Sequence, residues 1–494
     1  MNVKELLVGN INKQVNIKKN FLFQFTYQIL AIILPLISAP YISRVLGAEA
    51  VGIQSLTYNI ANYFVILSML GLATYGNRSI AKVKSNQEKL NNTFSELFFL
   101  HILISSVITV LYFVFVFFIV NEYKEIYLIS SIYVIFCAFD INWLFFGLEE
   151  FKITVIRGTF IKVVATISIF IFIKSINDLW IYVLILASST AISYLSIWPF
   201  IKGRVSFVRV NIKDAFKKHF GRLFLLFIPT IAINLYRNLS KIMIGFLSNT
   251  EQLGYFDSVE KIMILLVGMI SALGVVFLPR MSSIAANKSD EATINRVIED
   301  TLVVNSFLSY AFLFGIAGIS LQFVPIFFGE SFASAGPLLL YLSITIPLMA
   351  ISNLIRMVYL IPFNKDKLYV ISIISGLIIN VILNFLLIKP FGAFGGVISV
   401  IISEFLVFIL HVIFGRTKFK IKTLLNANLP FIFIGISMFI IIFFFGKFVV
   451  KSSVLLLIVQ IFIGGTIYIA LSFLYLLMFK KELLNKLFGI VNEV

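Results

Sequence analysis

The stretch LFLLFIPTIAINLYRNLSKIMIGFL, residues 223–247, is mostly apolar and long enough to cross a lipid bilayer as a helix. Similar runs of about 20 residues recur along the whole chain. Of its 494 residues, 60% are hydrophobic and 13% are charged, whereas average soluble domains are roughly half apolar and a quarter charged. The sequence therefore predicts an all-α integral membrane protein with many spans.

Apolar runs bounded by charged or turn residues predict fourteen transmembrane helices. The first is too long for a signal-peptide core and lacks an evident cleavage site, so we interpret it as a retained span. The predicted spans are 20–42, 53–75, 94–120, 126–147, 159–173, 179–201, 223–247, 258–279, 299–327, 337–362, 369–388, 396–414, 429–445 and 453–479.

The net charge of +17 would also suit a nucleic-acid-binding protein, but 54 Phe residues and the lack of a long hydrophilic segment argue against that. The distribution of Lys and Arg is more informative. With a cytoplasmic N-terminus, the predicted inside segments hold 29 of them and the outside loops hold 6. Because Lys and Arg accumulate on the cytoplasmic side, this bias predicts that both termini, 1–19 and 480–494, face the cytoplasm.

A short internal similarity divides the chain into two halves. ISRVLGAEAVGIQS from Ile42 aligns with IGFLSNTEQLGYFD from Ile244, and the same offset of 202 residues carries the start of the first span onto the start of the seventh. Six spans per copy insert both copies in the same direction, so we expect a twofold axis along the membrane normal and a site between two lobes. The predicted parts are an N-lobe at 20–201, a cytoplasmic inter-lobe loop at 202–222, a C-lobe at 223–414 and an appended helix pair at 429–479.

The sequence shows no pattern typical of a catalytic or metal centre. Cys137 is the single cysteine, and His101, His219 and His411 fall in separate segments without metal-ligand spacing. No phosphate-binding glycine loop or nucleophile motif is present. We therefore predict a protein that is not an enzyme and that has no metal or bound cofactor.

Four polar residues form one face of the span at 223–247. Asn234, Arg237, Asn238 and Lys241 are spaced i, i+3, i+4 and i+7. A cation at mid-helix costs roughly 2.5–3.5 kcal/mol on the insertion scale, and a water-filled cavity removes most of that cost. The stripe therefore predicts a cavity for an anionic substrate, where a guanidinium can hold phosphate oxygens through its fork of donors. The alternatives are snorkelling to the interface and pairing with a neighbouring carboxylate.

Three further charged residues within predicted spans are candidate site residues. Arg356, on one face with Ser352 and Asn353, adds to the predicted substrate cavity, with a structural pair between helices as the alternative. Asp140 and Glu404 are candidates for ion coupling, because carboxylates inside membranes typically serve as proton or cation sites. The alternatives are a pairing of Asp140 with an arginine of its own lobe and a helix contact capped by Glu404.

Several stretches resemble the oligosaccharide flippases of the polysaccharide-transport family, which belongs to the superfamily that includes the MATE drug exporters. They are APYISRVLGAEAVG, TYGNRSIAK, FDINWLFFGLEEFK, GYFDSVEKI, FFGESFASAGPLLLYLSI and GAFGGVISVIISE. The resemblance implies a two-lobed, MATE-like fold with a cationic central cavity in the bacterial cytoplasmic membrane. It also implies alternating-access transport of an undecaprenyl-pyrophosphate-linked sugar repeat unit to the outer leaflet.

The resemblance extends to the driving force and to partners. We expect a proton or sodium gradient to drive transport, and we expect contacts with membrane lipids and other polysaccharide-assembly membrane proteins. One departure concerns Lys241: relatives often carry Asp just before the matching lysine, whereas Ser240 stands here. Lys241 is therefore expected to be less neutralised than in those relatives.

Two other kinds of protein remain as alternatives. A multidrug or lipid-II-type exporter of the same superfamily would share the span pattern. A membrane glycosyltransferase or polymerase usually needs a sizeable catalytic region outside the membrane, whereas the predicted outside loops here are short. A non-transporting scaffold fits poorly with charges at mid-membrane depth.

Overall fold

The computed structural model describes the backbone of residues 3–286, 291–448 and 453–487, and the side chains of residues 33–272, 281, 294–447 and 453–485. The regular elements in this part of the chain are all helical. Short 3-10 turns lie at Ile176–Asp178, Trp198–Ile201 and Glu330–Phe332, and a π-helical turn lies at Arg356–Leu360. The α-helices are α1 (Val3–Met69), α2 (Leu72–Val83), α3 (Gln87–Phe118), α4 (Lys124–Cys137), α5 (Asn142–Gly147), α6 (Phe151–Phe172), α7 (Leu179–Leu195), α8 (Ile212–Leu247), α9 (Thr250–Ala286), α10 (Glu291–Phe328), α11 (Ala335–Leu342), α12 (Thr345–Ile355), α13 (Asp366–Phe391), α14 (Ala393–Gly415), α15 (Ile421–Phe448), α16 (Val454–Phe479) and α17 (Lys481–Leu487).

Within the described residues, 11 helical stretches are long and apolar enough to cross a membrane. The predicted all-α integral membrane class is confirmed. The predicted number of fourteen differs at three places. The described parts of the first two predicted spans fall within one apolar stretch, Ile33–Val83, although the chain is bent at Gly47 between them. The fourth is interrupted between α4 and α5, and the eighth runs into residues of α9 whose side chains lie outside the described part.

The helix breaks at Gly47 and Asn249 follow the predicted repeat. Gly47 has φ 78° and ψ 176°, a conformation that side chains with a Cβ rarely adopt, so α1 consists of two helices that meet there. Asn249, at the equivalent position 202 residues later, lies between α8 and α9. Its Oδ1 accepts a hydrogen bond of 2.8 Å from the backbone N–H of Gln252. The two aligned segments thus break their helices at equivalent positions with different chemistry.

Close packing of α2 on α5 explains two of the sequence stretches that carry the family resemblance. A Cβ added to Gly76 would lie 2.7 Å from Cε3 of Trp143, and a Cβ added to Gly147 would lie 2.6 Å from Cβ of Ile80. Both glycines are therefore required by close approach. TYGNRSIAK and FDINWLFFGLEEFK contain the residues of this contact. Their glycines leave the space that Trp143 and Ile80 fill.

The chain divides into two compact units, Met1–Asn234 and Leu235–Val494. The first unit has a buried aromatic and aliphatic core that includes Phe94, Trp143 and Phe145. The second has a core that includes residues of α10, α12, α15 and α16. In that core Tyr468 of α16 donates a hydrogen bond of 2.8 Å to the carbonyl of Phe307.

The boundary between the units lies inside α8, and part of the predicted inter-lobe loop is helical. Residues 202–222 are irregular only up to Asn211, because α8 begins at Ile212. The predicted lobes, the appended pair at 429–479 and the cytoplasmic termini stay predictions. Residues 488–494 of the predicted tail lie outside the described part of the chain.

The predicted orientation can be tested with single cysteines. Cys137 is buried and is the chain's one cysteine, so Cys137→Ala provides a background. Glu122, an exposed residue between α3 and α4, is predicted to lie outside, and Ser206, an exposed residue before α8, is predicted to lie inside. In whole cells a membrane-impermeant maleimide should label Glu122→Cys and should label Ser206→Cys only after permeabilisation. The reverse pattern would contradict the orientation.

Candidate functional site

Lys241 is buried in a network of four charges on α8 and α9. Its Nζ lies 3.0 Å from Oδ1 of Asp257 and 2.7 Å from Oε2 of Glu260, and the second oxygen of Asp257 lies 2.7 Å from Nζ of Lys261. Buried charges are tolerated when they are paired, since each one loses its hydration. The network contains two cations and two carboxylates, so its formal charges cancel.

Lys241 is neutralised without the Asp that relatives often carry before it; the comparison with the relatives themselves stays a prediction. Ser240 does stand where relatives often carry Asp, but α9 supplies two carboxylates from another helix. Pairing with a neighbouring carboxylate was the alternative interpretation of this lysine, and the structure has that pairing. A role for Lys241 in lining the substrate cavity stays a prediction.

Ser240 instead belongs to a neutral polar network that the sequence interpretation missed. Its Oγ donates to Oδ1 of Asn380 at 3.0 Å, and Nδ2 of Asn384 donates to Ser240 Oγ at 3.0 Å and to Asn380 Oδ1 at 2.9 Å. Nδ2 of Asn380 also donates to Oγ of Ser403 at 3.3 Å. All four residues are buried, so the network ties α8 to α13 and α14. The i, i+4 asparagine pair in an otherwise apolar α13 is the signal that could have revealed it.

Arg237, one turn from Lys241, has a different environment. Its side chain is exposed, and within the described residues no hydrogen bond or ion pair to it is found. Asn234 is half-buried and its Nδ2 donates to the carbonyl of Thr230 at 2.8 Å, while Asn238 is also half-buried. The predicted polar stripe is therefore divided into an exposed cation at Arg237 and a neutralised one at Lys241.

A second group of charges surrounds Arg237 within the unit Leu235–Val494. The hydroxyl of Tyr236 donates to Oε1 of Glu404 at 2.7 Å, and Glu404 is buried. Arg237 is close enough to Glu404 and to Arg356 to interact electrostatically with both. The structure thus brings three of the predicted site residues, Arg237, Arg356 and Glu404, into one electrostatic neighbourhood.

Arg356 is positioned by an irregular part of its helix. It opens the π-helical turn that follows α12, a feature that is frequent at functional sites. Its Nη2 donates to Oδ1 of Asn353 at 3.2 Å, and its guanidinium lies 5.3 Å from the ring centroid of Tyr369. Asn353 and Tyr369 thus position the guanidinium of Arg356. Among the described residues it forms no ion pair with a carboxylate. Two arginines that repel each other favour an anion close by.

Asp140 lies in the other unit, at the break between α4 and α5. Its Oδ1 accepts hydrogen bonds from the backbone N–H of Asn142 at 2.9 Å and from Nδ2 of the same residue at 2.6 Å. Nη2 of Arg157 donates to Oδ1 of Asn142 at 3.1 Å. The pairing of Asp140 with an arginine of its own lobe was the alternative interpretation. In the structure Asn142 connects the two, because it donates hydrogen bonds to Asp140 and accepts one from Arg157.

A metal centre is not formed by the described residues: no group of three or more His, Cys, Asp or Glu side chains there could hold a metal ion. His219 contacts Tyr75 at 2.9 Å and Glu96 at 2.8 Å. His101 and His411 are buried in separate helices.

The many apolar helical stretches define a multi-pass membrane protein. The chain belongs to the family described as "Polysaccharide biosynthesis protein", which matches residues 17–285. The predicted membership in the polysaccharide-transport family of the MATE-like superfamily is confirmed, and so is the prediction of a transporter rather than an enzyme.

Two curated relatives span most of the chain. A "Putative O-antigen transporter" of Shigella dysenteriae is 24% identical over 410 residues, which covers 79% of this chain and 98% of that protein. A protein of the same name from Escherichia coli (strain K12) is 25% identical over 415 residues, covering 83% of this chain and 99% of that protein.

Two solved structures share the fold. The lipid II flippase MurJ in an inward closed conformation has a TM-score of 0.73 at 16% identity and covers 92% of this chain and 98% of its own. An inward-facing multidrug resistance MATE family transporter has a TM-score of 0.56 at 14% identity and covers 78% of this chain and 98% of its own. The predicted MATE-like fold is confirmed.

The charge network of Lys241 generates a stability prediction. In Lys241→Met the carboxylates of Asp257 and Glu260 lose a buried counter-charge, and breaking such a pair costs about 3–5 kcal/mol. We expect a clearly lower Tm in thermal unfolding of the purified protein in detergent. The matched control is Lys261→Met, which removes the more exposed partner of Asp257 and should lower the Tm less. An unchanged Tm for Lys241→Met together with lost transport would show that Lys241 serves substrate rather than stability.

Proposed function

We propose that this protein is a flippase for undecaprenyl-pyrophosphate-linked oligosaccharide repeat units. It moves them from the inner to the outer leaflet of the cytoplasmic membrane by alternating access, for surface polysaccharide biosynthesis. The family membership and the names of the relatives support a transporter in this pathway. Other membrane proteins of polysaccharide assembly would deliver the cargo and receive it.

The observation that carries the proposal is the exposed guanidinium of Arg237 in a membrane-spanning helix. A cation at mid-membrane depth costs roughly 2.5–3.5 kcal/mol unless it meets water, a counter-charge or a ligand. Lys241 on the same helix has its counter-charges. Arg237 has no direct ion pair within the described residues, so its charge is available to a substrate.

The pyrophosphate of the cargo matches this cation chemically. A guanidinium presents planar N–H donors that hold two phosphate oxygens at once, which a lysine ammonium does not do. Arg356 adds positive charge to the same neighbourhood. Since every undecaprenyl-pyrophosphate-linked cargo carries this group, one fixed cationic site serves cargos whose sugars differ.

Glu404 is the carboxylate that we assign to coupling with a proton or sodium gradient. It is buried, accepts a hydrogen bond from Tyr236 and interacts with Arg237. A negative Glu404 competes with pyrophosphate for Arg237, whereas a protonated or cation-bound Glu404 leaves Arg237 to the cargo. Asp140 is less suited to this role because one of its oxygens already caps α5.

The proposal predicts a specific loss with Arg237→Ala. Because charge-assisted hydrogen bonds contribute about 1.5–3 kcal/mol, cargo affinity should fall roughly ten- to hundredfold. Arg237→Lys should recover only part, since the charge returns without the planar fork. The measurement is surface polysaccharide in a strain lacking the gene, complemented with each variant at matched protein levels.

The matched control for this measurement is Lys213→Ala, which removes an exposed cation from the same helix before the predicted span. It should export normally. Normal surface polysaccharide with Arg237→Ala would refute the role of Arg237 in cargo binding.

The coupling assignment predicts different behaviour for two isosteric variants. Glu404→Gln cannot change its charge, so gradient-driven transport in proteoliposomes should stop while cargo binding is retained. Asp140→Asn should still respond to an imposed gradient. Gradient-driven transport by Glu404→Gln at the wild-type rate would exclude Glu404 as the coupling group.

A further inference from the structure

A cavity of about 370 Å³ lies inside the unit Met1–Asn234, whereas the residues assigned to pyrophosphate belong to the unit Leu235–Val494. It is lined by α6, α7 and the turn between α4 and α5. Its volume falls within the range of about 300–1,000 Å³ that is typical of small-molecule sites. At about 30 Å³ for each water, it would hold roughly a dozen water molecules.

The lining is rich in hydrogen-bond acceptors. The hydroxyls of Thr154, Ser189 and Thr190 already donate their protons to backbone carbonyls of their own helices, at 2.8, 2.8 and 3.1 Å. Their oxygen lone pairs are therefore what they offer to a ligand. Asp140 also lines the cavity, and within the described residues its Oδ2 has no hydrogen-bond partner. A complementary ligand must donate several hydrogen bonds.

Two cations in the wall argue against a simple ion as the occupant. Arg157 and Lys162 line the cavity together with the single carboxylate of Asp140, so the formal charge of the lining is positive and repels a metal cation. Arg157 is held by the carbonyl of Ser193, by Oγ of Ser196 at 2.9 Å and by Oδ1 of Asn142 at 3.1 Å. A phosphate, which only accepts hydrogen bonds, would meet the carboxylate of Asp140 and three hydroxyls whose protons are already engaged, whereas sugar hydroxyls can donate to these oxygens and accept from the cationic side chains of the wall.

An aromatic wall completes the site. Phe146, which is half-buried, and Trp143, which is buried, both line the cavity. The faces of aromatic rings carry negative potential and attract polarised C–H groups. Such a wall suits one face of a sugar ring, whose hydroxyls on the other side can donate to Asp140, Ser189 and Thr190.

We infer that this cavity binds a neutral sugar residue, whose hydroxyl groups donate to Asp140 and to the three engaged hydroxyls of the wall and accept from its cationic side chains. The inference rests on the proposed function, because the sugar would be part of the lipid-linked cargo. It assigns the sugar to residues of the unit Met1–Asn234 and the pyrophosphate to residues of the unit Leu235–Val494. Variation of the cavity lining would then change which repeat units are carried, while the pyrophosphate site stays the same.

The test uses the purified full-length protein in lipid nanodiscs and two probes. One probe is the free repeat-unit oligosaccharide, released from the host's own surface polysaccharide, which lacks pyrophosphate. The other is undecaprenyl pyrophosphate, which lacks sugar. Binding is measured by calorimetry and by tryptophan fluorescence, since Trp143 lies at the cavity.

The variants are Asp140→Asn, Thr190→Val and Ser189→Ala. The matched control is Ser188→Ala, the adjacent residue on α7 that does not line the cavity. The three variants should bind the oligosaccharide about tenfold more weakly, because each removes or weakens one acceptor, and should bind undecaprenyl pyrophosphate as the wild type does. Arg237→Ala should show the opposite pattern. If Asp140→Asn does not fold, the two hydroxyl variants decide the result.

The possible failures are distinguishable. A wild-type protein that binds undecaprenyl pyrophosphate but not the oligosaccharide, or cavity variants that bind the oligosaccharide normally, would overturn the sugar site and leave the proposed function intact. Binding of neither probe by the wild type would overturn the proposed function as well. A fluorescence response to sodium chloride that Asp140→Asn abolishes, without a response to oligosaccharide, would assign the cavity to a cation instead.

Discussion

The ion pairs of Lys241 with Asp257 and Glu260 are the interaction on which the chemistry of α8 depends. In a mostly apolar surrounding, a lysine is stable only where counter-charges replace its lost hydration. The network joins α8 to α9, and the neutral network of Ser240, Asn380 and Asn384 joins α8 to α13. With these contacts satisfied, Arg237 is left as the exposed cation one turn away. The ion pairs of Lys241 thus neutralise the buried cation of α8, and the charge of Arg237 on the same helix stays exposed.

The two polar regions of the molecule differ in the hydrogen-bond acceptors that they offer. Arg237 and Arg356 present donors and positive charge, which match the oxygens of a pyrophosphate. The cavity beside Asp140 adds a carboxylate and three hydroxyls whose protons are donated to helix carbonyls, so these four groups can accept hydrogen bonds from a ligand. A lipid-linked oligosaccharide contains both complementary groups in one molecule. In this assignment the pyrophosphate, which all such cargos share, and the sugar, which differs between them, bind different residues.

The breaks in the helices occur where the chain places its polar side chains. Backbone groups freed by a break inside a membrane need partners, because no water is available to the lipid-facing chain. Asp140 supplies such a partner at the start of α5, and Asn249 does so at the start of α9. At Gly47 and at the π-helical turn of Arg356 the backbone geometry itself changes. Asp140 and Arg356 are therefore displayed at irregular points rather than on straight helices.

The sequence by itself determined the membrane class, the helical fold, the approximate spans and the family, because hydropathy and local motifs are properties of contiguous residues. It also identified Arg237, Arg356 and Glu404, since a charge in an apolar run is conspicuous without any structure. Only the tertiary structure decided the partners: the carboxylates that neutralise Lys241 come from α9, and Asn142 stands between Asp140 and Arg157. It also showed that the fourth predicted span is interrupted and that hydroxyls from two helices converge on one cavity. The physical reason is that pairing of charges and sharing of protons depend on which helix faces pack together, and helical periodicity specifies a face but not its neighbour.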